Sequence, residues 1–600
     1  MGQNKKIEAG KLLEEVGPVG RYQLRMLLII MVPILWCGTI STQYVFNAMV
    51  AKHRCMVPQC ETWPAEVTPG AWGAWALTDD KCRRKQPVAD TCSANSFHAT
   101  NTQRCDKFVY EHNNTIVAEF NLGCQEWKRT LVGTIHSAGI FVALPLTAYV
   151  SDTFGRRVAF IVTAVLPGVV GLARSFTQDY ISYITLEFLD AVVGAGVFGR
   201  RVAFIVTAVS PGVVGLARSF TQDYISYITL EFLDAVVGAG VYSSGFVLAL
   251  EMVGINRRVL CGNIISSTFA LGQALIALIA WAVPNWRTLT RIIYAPSPFF
   301  IIYYFLIEES VRWLLTKGKK KKAAKIIFKA AEVNKKKLSP ETIRLLTEET
   351  PVEIKQTDPV NPNSENLDPE KMPAENSNPD KKVPENFQPP SVMLAVLKSR
   401  VLMTRLCICA FWWVTVTFIY YGLSINSVSL AGNSYINYIL TSLIEIPGYG
   451  LSVITLDRFG RKKSIITAYF ICGVSLIALP FIPTSIVWLQ TSLNLFGKLC
   501  ISMVFSSIYV YTGELYPTGL RHRMLAACSM TGRIGQMIAP QTPLLMSYME
   551  SLPYILFGLM AGASGLLMLL TPETLRVELP DTIEQAETIS PVKQRPVHLE

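Results

Sequence analysis

Charged residues inside long apolar runs are the most informative feature of this sequence. Glu445, Lys498 and Arg533 each interrupt such a run, and a charge at that depth is costly enough to predict a function. Aromatic residues recur at spacings of four or seven around them, which places them on shared helical faces. The candidate substrate-binding residues are Trp413, Tyr420, Tyr421, Tyr438, Glu445, Tyr449, Lys498, Phe505 and Arg533.

These residue types suit small organic ions. Aromatic faces bind amines and quaternary ammonium groups through cation–π contacts of about 0.5 to 2 kcal/mol each. Arg533 would attract a carboxylate or a chloride, which favours zwitterions and anions over pure cations. Two alternatives stay open, because the aromatic residues would also pack against lipid or helices, and Glu445 with Lys498 would also form a structural ion pair.

A second set of acids lies earlier in the chain. Glu187 and Asp190 are three residues apart on one helical face, and Glu231 and Asp234 repeat the pattern. They would either receive the cationic end of a substrate or pair with basic residues of the protein. The residue pattern does not decide between these two interpretations.

The composition sets the class of protein that holds these residues. Of the 600 residues, 50% are hydrophobic and 16% charged, with a mean hydropathy of +0.33, and the apolar runs reach the roughly 20 residues that a membrane-spanning helix needs. The formal charge of +11 reports mainly the basic residues flanking the spans. Fourteen spans are predicted, at 26–46, 130–150, 158–176, 180–197, 202–220, 224–250, 259–283, 289–308, 402–424, 434–455, 464–482, 485–511, 523–546 and 551–571.

An internal repeat changes that number. Residues 154–197 recur as 198–241 with one difference, Leu166 against Ser210. Repeats that form a functional array usually diverge, so the near-identity predicts a recent duplication or an error in the assembled sequence. Leaving out one copy gives twelve spans in 556 residues.

The predicted organisation is all-α, with two six-helix bundles. It comprises a cytoplasmic N-terminus (1–25), an N-terminal bundle (26–314), a cytoplasmic linker (315–398), a C-terminal bundle (399–575) and a cytoplasmic tail (576–600). Basic residues before the first span and in short loops place both termini inside.

The segment 48–128 then lies outside the membrane. It holds six of the thirteen cysteines, an even number that predicts up to three disulfides with fifteen possible connectivities; the alternative is reduced thiols. Asn113 begins a glycosylation sequon in the same segment. The cysteines are Cys55, Cys60, Cys82, Cys92, Cys105 and Cys124.

The motif D-x-F-G-R-[RK] occurs once in each half, at 152–157 and at 457–462, and a glutamate follows each copy at 251 and 514. Asp152 and Glu251 are 99 residues apart and Asp457 and Glu514 are 57 apart; without one 44-residue copy the first interval becomes 55. The glycine allows a tight turn, and the charges at the cytoplasmic helix ends would pair in one state and separate in another. The predicted gating residues are Asp152, Gly155, Arg156, Arg157, Glu251, Asp457, Gly460, Arg461, Lys462 and Glu514.

Two six-span halves, each with D-x-F-G-R-[RK] after its second span, resemble the major facilitator superfamily. Finer motifs resemble solute carrier family 22, the organic cation, carnitine and organic anion transporters, and above all its invertebrate organic cation or carcinine transporters. These motifs are Gly20–Gln23, Phe120–Trp127, Glu309–Leu314, Glu445–Tyr449 and Tyr511–Thr518. The resemblance implies that position 533 is acidic in typical cation transporters and basic in anion and carnitine-type members.

The sequence therefore predicts a multi-pass transporter of small organic ions, such as carnitine-like or imidazole-amine compounds, that works by alternating access. We expect it in the plasma membrane, with a small organic ion and the lipid bilayer as partners and no nucleic acid. The alternative is a transport-inactive receptor that uses the same cavity. An enzyme is not expected, because the six histidines form no metal-ligand pattern and neither a nucleophile elbow nor a phosphate loop occurs. No cofactor or metal is predicted, and a coupling ion is not readable.

Overall fold

The computed structural model describes residues 9–153, 218–347 and 399–588, with short breaks inside these ranges. The breaks lie at 18, 220, 239, 255–256, 297–301, 303–305, 317–318, 484, 518–520, 576, 578–579 and 581–582. The first 44-residue copy and most of the linker therefore lie outside the described residues.

Helices dominate the N-terminal half. Those before residue 350 are α1 (Ala9–Val16), α2 (Arg21–Ser41), α3 (Tyr44–Asn47), α4 (Gly73–Ala76), α5 (Ile116–Glu119), α6 (Glu126–Thr153), α7 (Tyr224–Gly238), α8 (Gly240–Met252), α9 (Arg258–Ala282), α10 (Trp286–Tyr294), α11 (Val311–Thr316), α12 (Lys320–Asn334) and α13 (Pro340–Thr347).

The C-terminal half is helical throughout its described length. Its helices are α14 (Arg400–Asn426), α15 (Ser434–Leu443), α16 (Glu445–Phe459), α17 (Arg461–Ala478), α18 (Val487–Glu514), α19 (Arg521–Ile538), α20 (Thr542–Met546), α21 (Leu552–Met568) and α22 (Ile583–Glu587). Short 3-10 turns follow several of them, at Ser427–Ser429, Leu479–Phe481 and Ala539–Gln541.

Apolar composition and polar caps explain where these helices run. Within the described residues, six helical stretches are long and apolar enough to cross a membrane. Side-chain caps start several helices: Ser399 Oγ accepts from the Leu402 N–H at 3.2 Å, and Asn433 and Asn285 cap α15 and α10 in the same way. The six long helices overlap predicted spans, whereas the spans at 158–176 and 180–197 and most of the span at 202–220 lie outside the described residues.

The segment between the first two long helices is a small disulfide-bonded unit. Strands β1 (His53–Cys55) and β4 (Phe108–Tyr110) pair antiparallel, as do β2 (Arg83–Pro87) and β3 (Phe97–Arg104). A 3-10 turn at Ala94–Ser96 directly precedes β3. Burial raises the pKa of Tyr110 to about 12, and its hydroxyl accepts from the Gly123 N–H at 2.8 Å. This β content was not predicted, because the segment carries no sustained alternation of apolar and polar residues.

The two halves pack against each other through a few helices. α9 contacts α15 and α16, and α6 contacts α19 and the turn after it. Gln541 joins the halves at the end that carries the disulfide-bonded unit: Thr130 Oγ1 donates to its side-chain oxygen at 3.0 Å, and its amide donates to Thr134 Oγ1 at 2.6 Å. A Cβ on Gly133 would lie 2.8 Å from Pro540, so glycine permits this close approach.

Helices α11 to α13 form a small cluster with α1 at the other end of the N-terminal half. Glu15 accepts from the Ser339 N–H and from Thr342 Oγ1, the latter at 2.7 Å. Burial would raise the pKa of the Glu15 carboxyl, but the hydrogen bonds from Thr342 and Ser339 outweigh it and hold the pKa below its ordinary value. The start of the predicted linker is therefore an ordered helical unit.

Candidate substrate site

A buried polar cluster surrounds Glu445. The Tyr420 hydroxyl donates to Glu445 Oε2 at 2.5 Å and the Tyr449 hydroxyl donates to the same oxygen at 3.1 Å. The helical stretch 434–459 breaks at Ile444, directly before Glu445. The spacing of four residues between Glu445 and Tyr449 brings these two side chains together on α16, while Tyr420 reaches them from α14.

Lys498 completes this cluster as the partner of Glu445. Its ammonium lies 2.9 Å from Glu445 Oε1 and donates to the Tyr420 carbonyl at 2.9 Å and to Ser424 Oγ at 2.7 Å. It also lies 3.4 Å from the centre of the Tyr420 ring. Both charged side chains are fully buried, so in this conformation the pair joins α14, α16 and α18 rather than facing a ligand.

A half-exposed aromatic and basic surface lies beside the cluster, and we call it the central site. It consists of Tyr421, Phe505, Tyr509 and Arg533. Phe505 stacks on Tyr420 at 5.1 Å between ring centres and meets Tyr509 at 5.7 Å. Arg533 lies close enough to Tyr421 and Tyr509 to interact electrostatically with both.

Arg533 has a polar partner but no acidic one. It donates to Gln536 Oε1 at 2.7 Å, and within the described part of the chain no carboxylate lies within 4 Å of it. A guanidinium that is partly enclosed and lacks a carboxylate is suited to receive one from a ligand.

The N-terminal half faces the central site with Tyr242, a residue that the sequence reasoning missed. Tyr242 is half-buried on α8, interacts electrostatically with Tyr421 and Tyr509, and meets Phe269 edge-on at 5.2 Å. A tyrosine in a helix of small and apolar residues carries no sequence signal of its own, so only the packing of the halves reveals it.

Two predicted site residues are buried and not exposed on this surface. Trp413 is buried, and its ring meets Tyr509 at 4.5 Å while its indole N–H donates to Thr512 at 3.2 Å. Tyr438 is also buried and packs edge-on against Phe46 of the N-terminal half at 5.0 Å. Both side chains support the helices that carry the site.

The N-terminal half contains its own buried charged set, formed by Arg218, Glu231 and His136. Arg218 pairs with Glu231 Oε2, and His136 Nδ1 lies 2.8 Å from Glu231 Oε1. Arg218 also donates to Gln43 at 2.9 Å and to the Tyr294 hydroxyl at 3.0 Å. Glu231 thus pairs with basic residues of the protein; Asp234 lies on α7, and Glu187 and Asp190 lie outside the described residues.

The charged motif of the C-terminal half forms a network at the end of α16. Arg461 donates to Asp457 at 3.3 Å and lies 3.4 Å from Glu514. Gly460 has a φ of +100°, which glycine adopts most easily. Glu573 accepts from the backbone N–H groups of Arg461 and Lys462 at 3.0 and 3.1 Å, so it caps α17.

The matching motif of the N-terminal half is only partly described. Asp152 lies near the end of α6 and Glu251 near the end of α8. Gly155, Arg156 and Arg157 lie outside the described residues. The predicted gating contacts of this half therefore stay a prediction.

The six cysteines of the disulfide-bonded unit form three pairs. These are Cys55–Cys105, Cys60–Cys92 and Cys82–Cys124. Asn113 is exposed in the same unit, as a glycan acceptor must be. This pairing is one of the fifteen connectivities that the cysteine spacing alone left open.

Comparisons with known proteins agree with this architecture. A family model described as Major Facilitator Superfamily matches residues 180–540 and 401–596. The chain is 28% identical to an organic cation transporter protein of Drosophila melanogaster, covering 96% of this chain and 94% of the relative. It is 30% identical to solute carrier family 22 member 3 of Rattus norvegicus, covering 96% and 95%. A solved structure of the E. coli xylose transporter XylE covers 75% of this chain and 98% of its own, with 16% identity and a TM-score of 0.44.

Two helical halves that meet across a charged and aromatic surface define a polytopic membrane protein of the transporter class. The chain belongs to the major facilitator superfamily and, within it, to solute carrier family 22. The relatives reported above are named as transporters and not as receptors or enzymes, so the receptor alternative gains no support.

Proposed function

We propose that this protein carries small organic ions across a membrane by alternating access, with zwitterions and carboxylate-bearing compounds as its preferred substrates. The observation that carries the substrate class is Arg533. This guanidinium lies partly exposed beside Tyr421 and Tyr509, without a carboxylate within 4 Å in the described part of the chain.

The aromatic rings of the central site support the other end of such a substrate. Tyr421, Tyr509 and Phe505 belong to the C-terminal half and Tyr242 to the N-terminal half. Rings offered from both halves suit a quaternary or primary ammonium group, while Arg533 binds the carboxylate. A ligand held in this way would touch both bundles, as a transporter of this architecture requires.

The contacts between the halves support alternating access. Gln541, Thr130 and Thr134 join the bundles near the disulfide-bonded unit, and Trp281 stacks on Tyr435 there at 6.2 Å. Disulfides and the exposed Asn113 favour the outside of the cell for this end. We therefore propose a plasma-membrane protein, closed to the exterior in this conformation, with both termini cytoplasmic.

The substrate class is tested by uptake of two probes into proteoliposomes that contain the full chain. We expect carnitine, which has a carboxylate, and tetraethylammonium, which has none, to respond differently to Arg533→Ala. Loss of a charge-assisted hydrogen bond costs about 1.5 to 3 kcal/mol, so the affinity for carnitine should fall about tenfold or more. The affinity for tetraethylammonium should stay within about twofold, a difference worth less than 0.5 kcal/mol.

The matched control is Arg523→Ala, an exposed arginine at the other end of the same helix, which should leave both affinities unchanged. Equal losses for the two probes in Arg533→Ala would contradict the carboxylate assignment. If the wild type binds carnitine but accumulates neither probe under any gradient, transport itself is contradicted.

A further inference from the structure

His136 is a buried histidine inside the charged set of the N-terminal half. Only 4% of its surface is exposed, against 1% for Glu231 and none for Arg218. The central site described above does not include any of these three residues. A histidine at this depth is notable, because histidine ordinarily changes charge between about pH 5 and 8.

The hydrogen bond to Glu231 fixes which ring nitrogen can take a proton. An ionised carboxylate only accepts hydrogen bonds, so His136 Nδ1, at 2.8 Å from Glu231 Oε1, carries the hydrogen and donates. The other nitrogen, Nε2, has no hydrogen-bond partner within the described ranges. Its lone pair is therefore the group that receives an additional proton.

The surroundings of the ring accept a positive charge. Glu231 is the acid that faces it from α7, and Arg218, paired with the other carboxylate oxygen, is the opposing charge. Tyr44 of α3 lies 5.3 Å from the imidazole ring centre, within cation–π range. Tyr227 of α7 lies near Glu231 as well.

The remaining helices that pack against α6 bring few charges. α19 carries Arg533 within the span and Arg521, His522 and Arg523 at its far end, and the turn after it brings the uncharged Gln541. α8 ends in Glu251. Among these groups, His136 is the histidine that lies within a membrane span.

His136 also lies next to the contact between the halves. Thr134, two residues earlier on α6, accepts from Gln541 of the C-terminal half. Tyr44, which packs on the imidazole, interacts electrostatically with Tyr421 and Tyr438 of the C-terminal half. A change of charge at His136 would therefore be felt at the surface where the halves meet and at the edge of the central site.

We propose that His136 Nε2 is a proton-binding site through which pH selects the charge of the transported ion. In this step a hydronium ion gives its proton to the Nε2 lone pair and leaves as water, and no other bond changes. The set formed by Arg218, Glu231 and His136 then gains one positive charge. The inference rests on the proposed function, because the selected ion is the one that the central site carries.

The sign of the effect follows from this added charge. When His136 Nε2 holds the additional proton, the N-terminal half gains a positive charge that attracts a carboxylate and repels a cation. Uptake of carnitine relative to tetraethylammonium should therefore rise as the pH falls. Neither probe changes its own charge between about pH 5.5 and 8, since a carboxyl group titrates near pH 4.

The test uses proteoliposomes with equal pH on both sides and the membrane potential clamped at zero. For the wild type we expect the carnitine to tetraethylammonium uptake ratio to rise several-fold between pH 8 and pH 5.5. His136→Gln, which retains a side-chain amide able to donate to Glu231, should give a ratio that does not change with pH. The control His112→Gln removes an exposed histidine of the disulfide-bonded unit and should behave as the wild type.

A second measurement reads proton binding without transport. In protein labelled with ¹³C at histidine, the resonance that His136→Gln removes should titrate between about pH 5 and 8. A flat wild-type ratio, a His136→Gln variant that keeps the wild-type pH profile, or a resonance that does not titrate would each overturn the inference. If the resonance titrates but no probe is transported, the proton site stands and the proposed function fails.

Discussion

Each half of the protein has a buried glutamate, and the two glutamates have different ion-pair and hydrogen-bond partners. In the N-terminal half Glu231 pairs with an arginine and a histidine, whereas in the C-terminal half Glu445 pairs with a lysine and two tyrosine hydroxyls. The C-terminal set contains no histidine. The N-terminal set contains the imidazole whose Nε2 we propose as a proton-binding site.

This difference predicts a different role for the buried charges of each half. The pair of Glu445 and Lys498, which we call the fixed pair, joins α14 and α18, the helices that carry the aromatic residues of the central site, to α16. The set around His136 sits where α6 meets the C-terminal half. Under our proposal, an added proton there would change the surroundings of the central site without changing the residues of the central site.

The largest expected effect is on the fixed pair. Lys498→Met leaves Glu445 buried and uncompensated, which typically costs about 3 to 5 kcal/mol of stability. Arg218→Met in the other half should cost less, because His136 Nδ1 still donates a hydrogen bond to Glu231 at 2.8 Å. Thermal unfolding of the detergent-solubilised variants measures both. Equal losses would show that His136 does not compensate and would break the comparison.

A smaller effect separates the two tyrosines beside Glu445. Tyr420→Phe removes a hydroxyl that donates to the carboxylate at 2.5 Å, and a hydrogen bond to a charged group contributes about 1.5 to 3 kcal/mol. Tyr449→Phe removes the longer bond of 3.1 Å and should destabilise less. The unfolding temperatures of the two variants give the order, and a reversed order would mean that Tyr449 is the main support of the carboxylate.

The smallest expected effect concerns Glu15, a carboxylate outside the membrane. It serves as a comparison for Glu231 and Glu445, which are buried within the spans. The lowered pKa of Glu15 means that its ionised form supports the attachment of α1 above the unfolded pKa, about 4.3 for glutamate. This support is lost as the pH falls through the folded value. Hydrogen exchange of α1 should be faster in Glu15→Gln than in the wild type at pH 7, and the difference should shrink as the pH falls below about 4.3 and through the lowered folded pKa. A difference that persists at low pH would contradict this role.

The spans were predictable from sequence because a membrane imposes one requirement, a run of about 20 apolar residues. The face shared by Glu445 and Tyr449 was also predictable, since it depends only on helical spacing. The contact of Tyr420 with Glu445 was not, because it joins α16 to α14, and spacing along one helix gives no information about its neighbours.

The residues that sequence reasoning missed share this cause. His136 and Arg218 meet Glu231 from different parts of the chain, and Tyr242 meets Tyr421 across the two halves. The disulfide pairs were not predictable for the same reason, since the spacing of six cysteines is compatible with fifteen connectivities. Exposure was a further limit: Lys498 and Arg533 look alike as charges within spans, yet one is fully buried with an acid and the other half-exposed without one.

The central claim, that the halves must separate at the disulfide-bonded end for transport, is tested most directly by a reversible cross-link. Thr134→Cys with Gln541→Cys places thiols where a 2.6 Å hydrogen bond joins the halves, and the control Asn426→Cys with Thr542→Cys replaces a 3.1 Å contact inside the C-terminal half. Oxidation should abolish carnitine uptake only in the first variant, and reduction should restore it. Undiminished uptake by the cross-linked first variant would contradict the account.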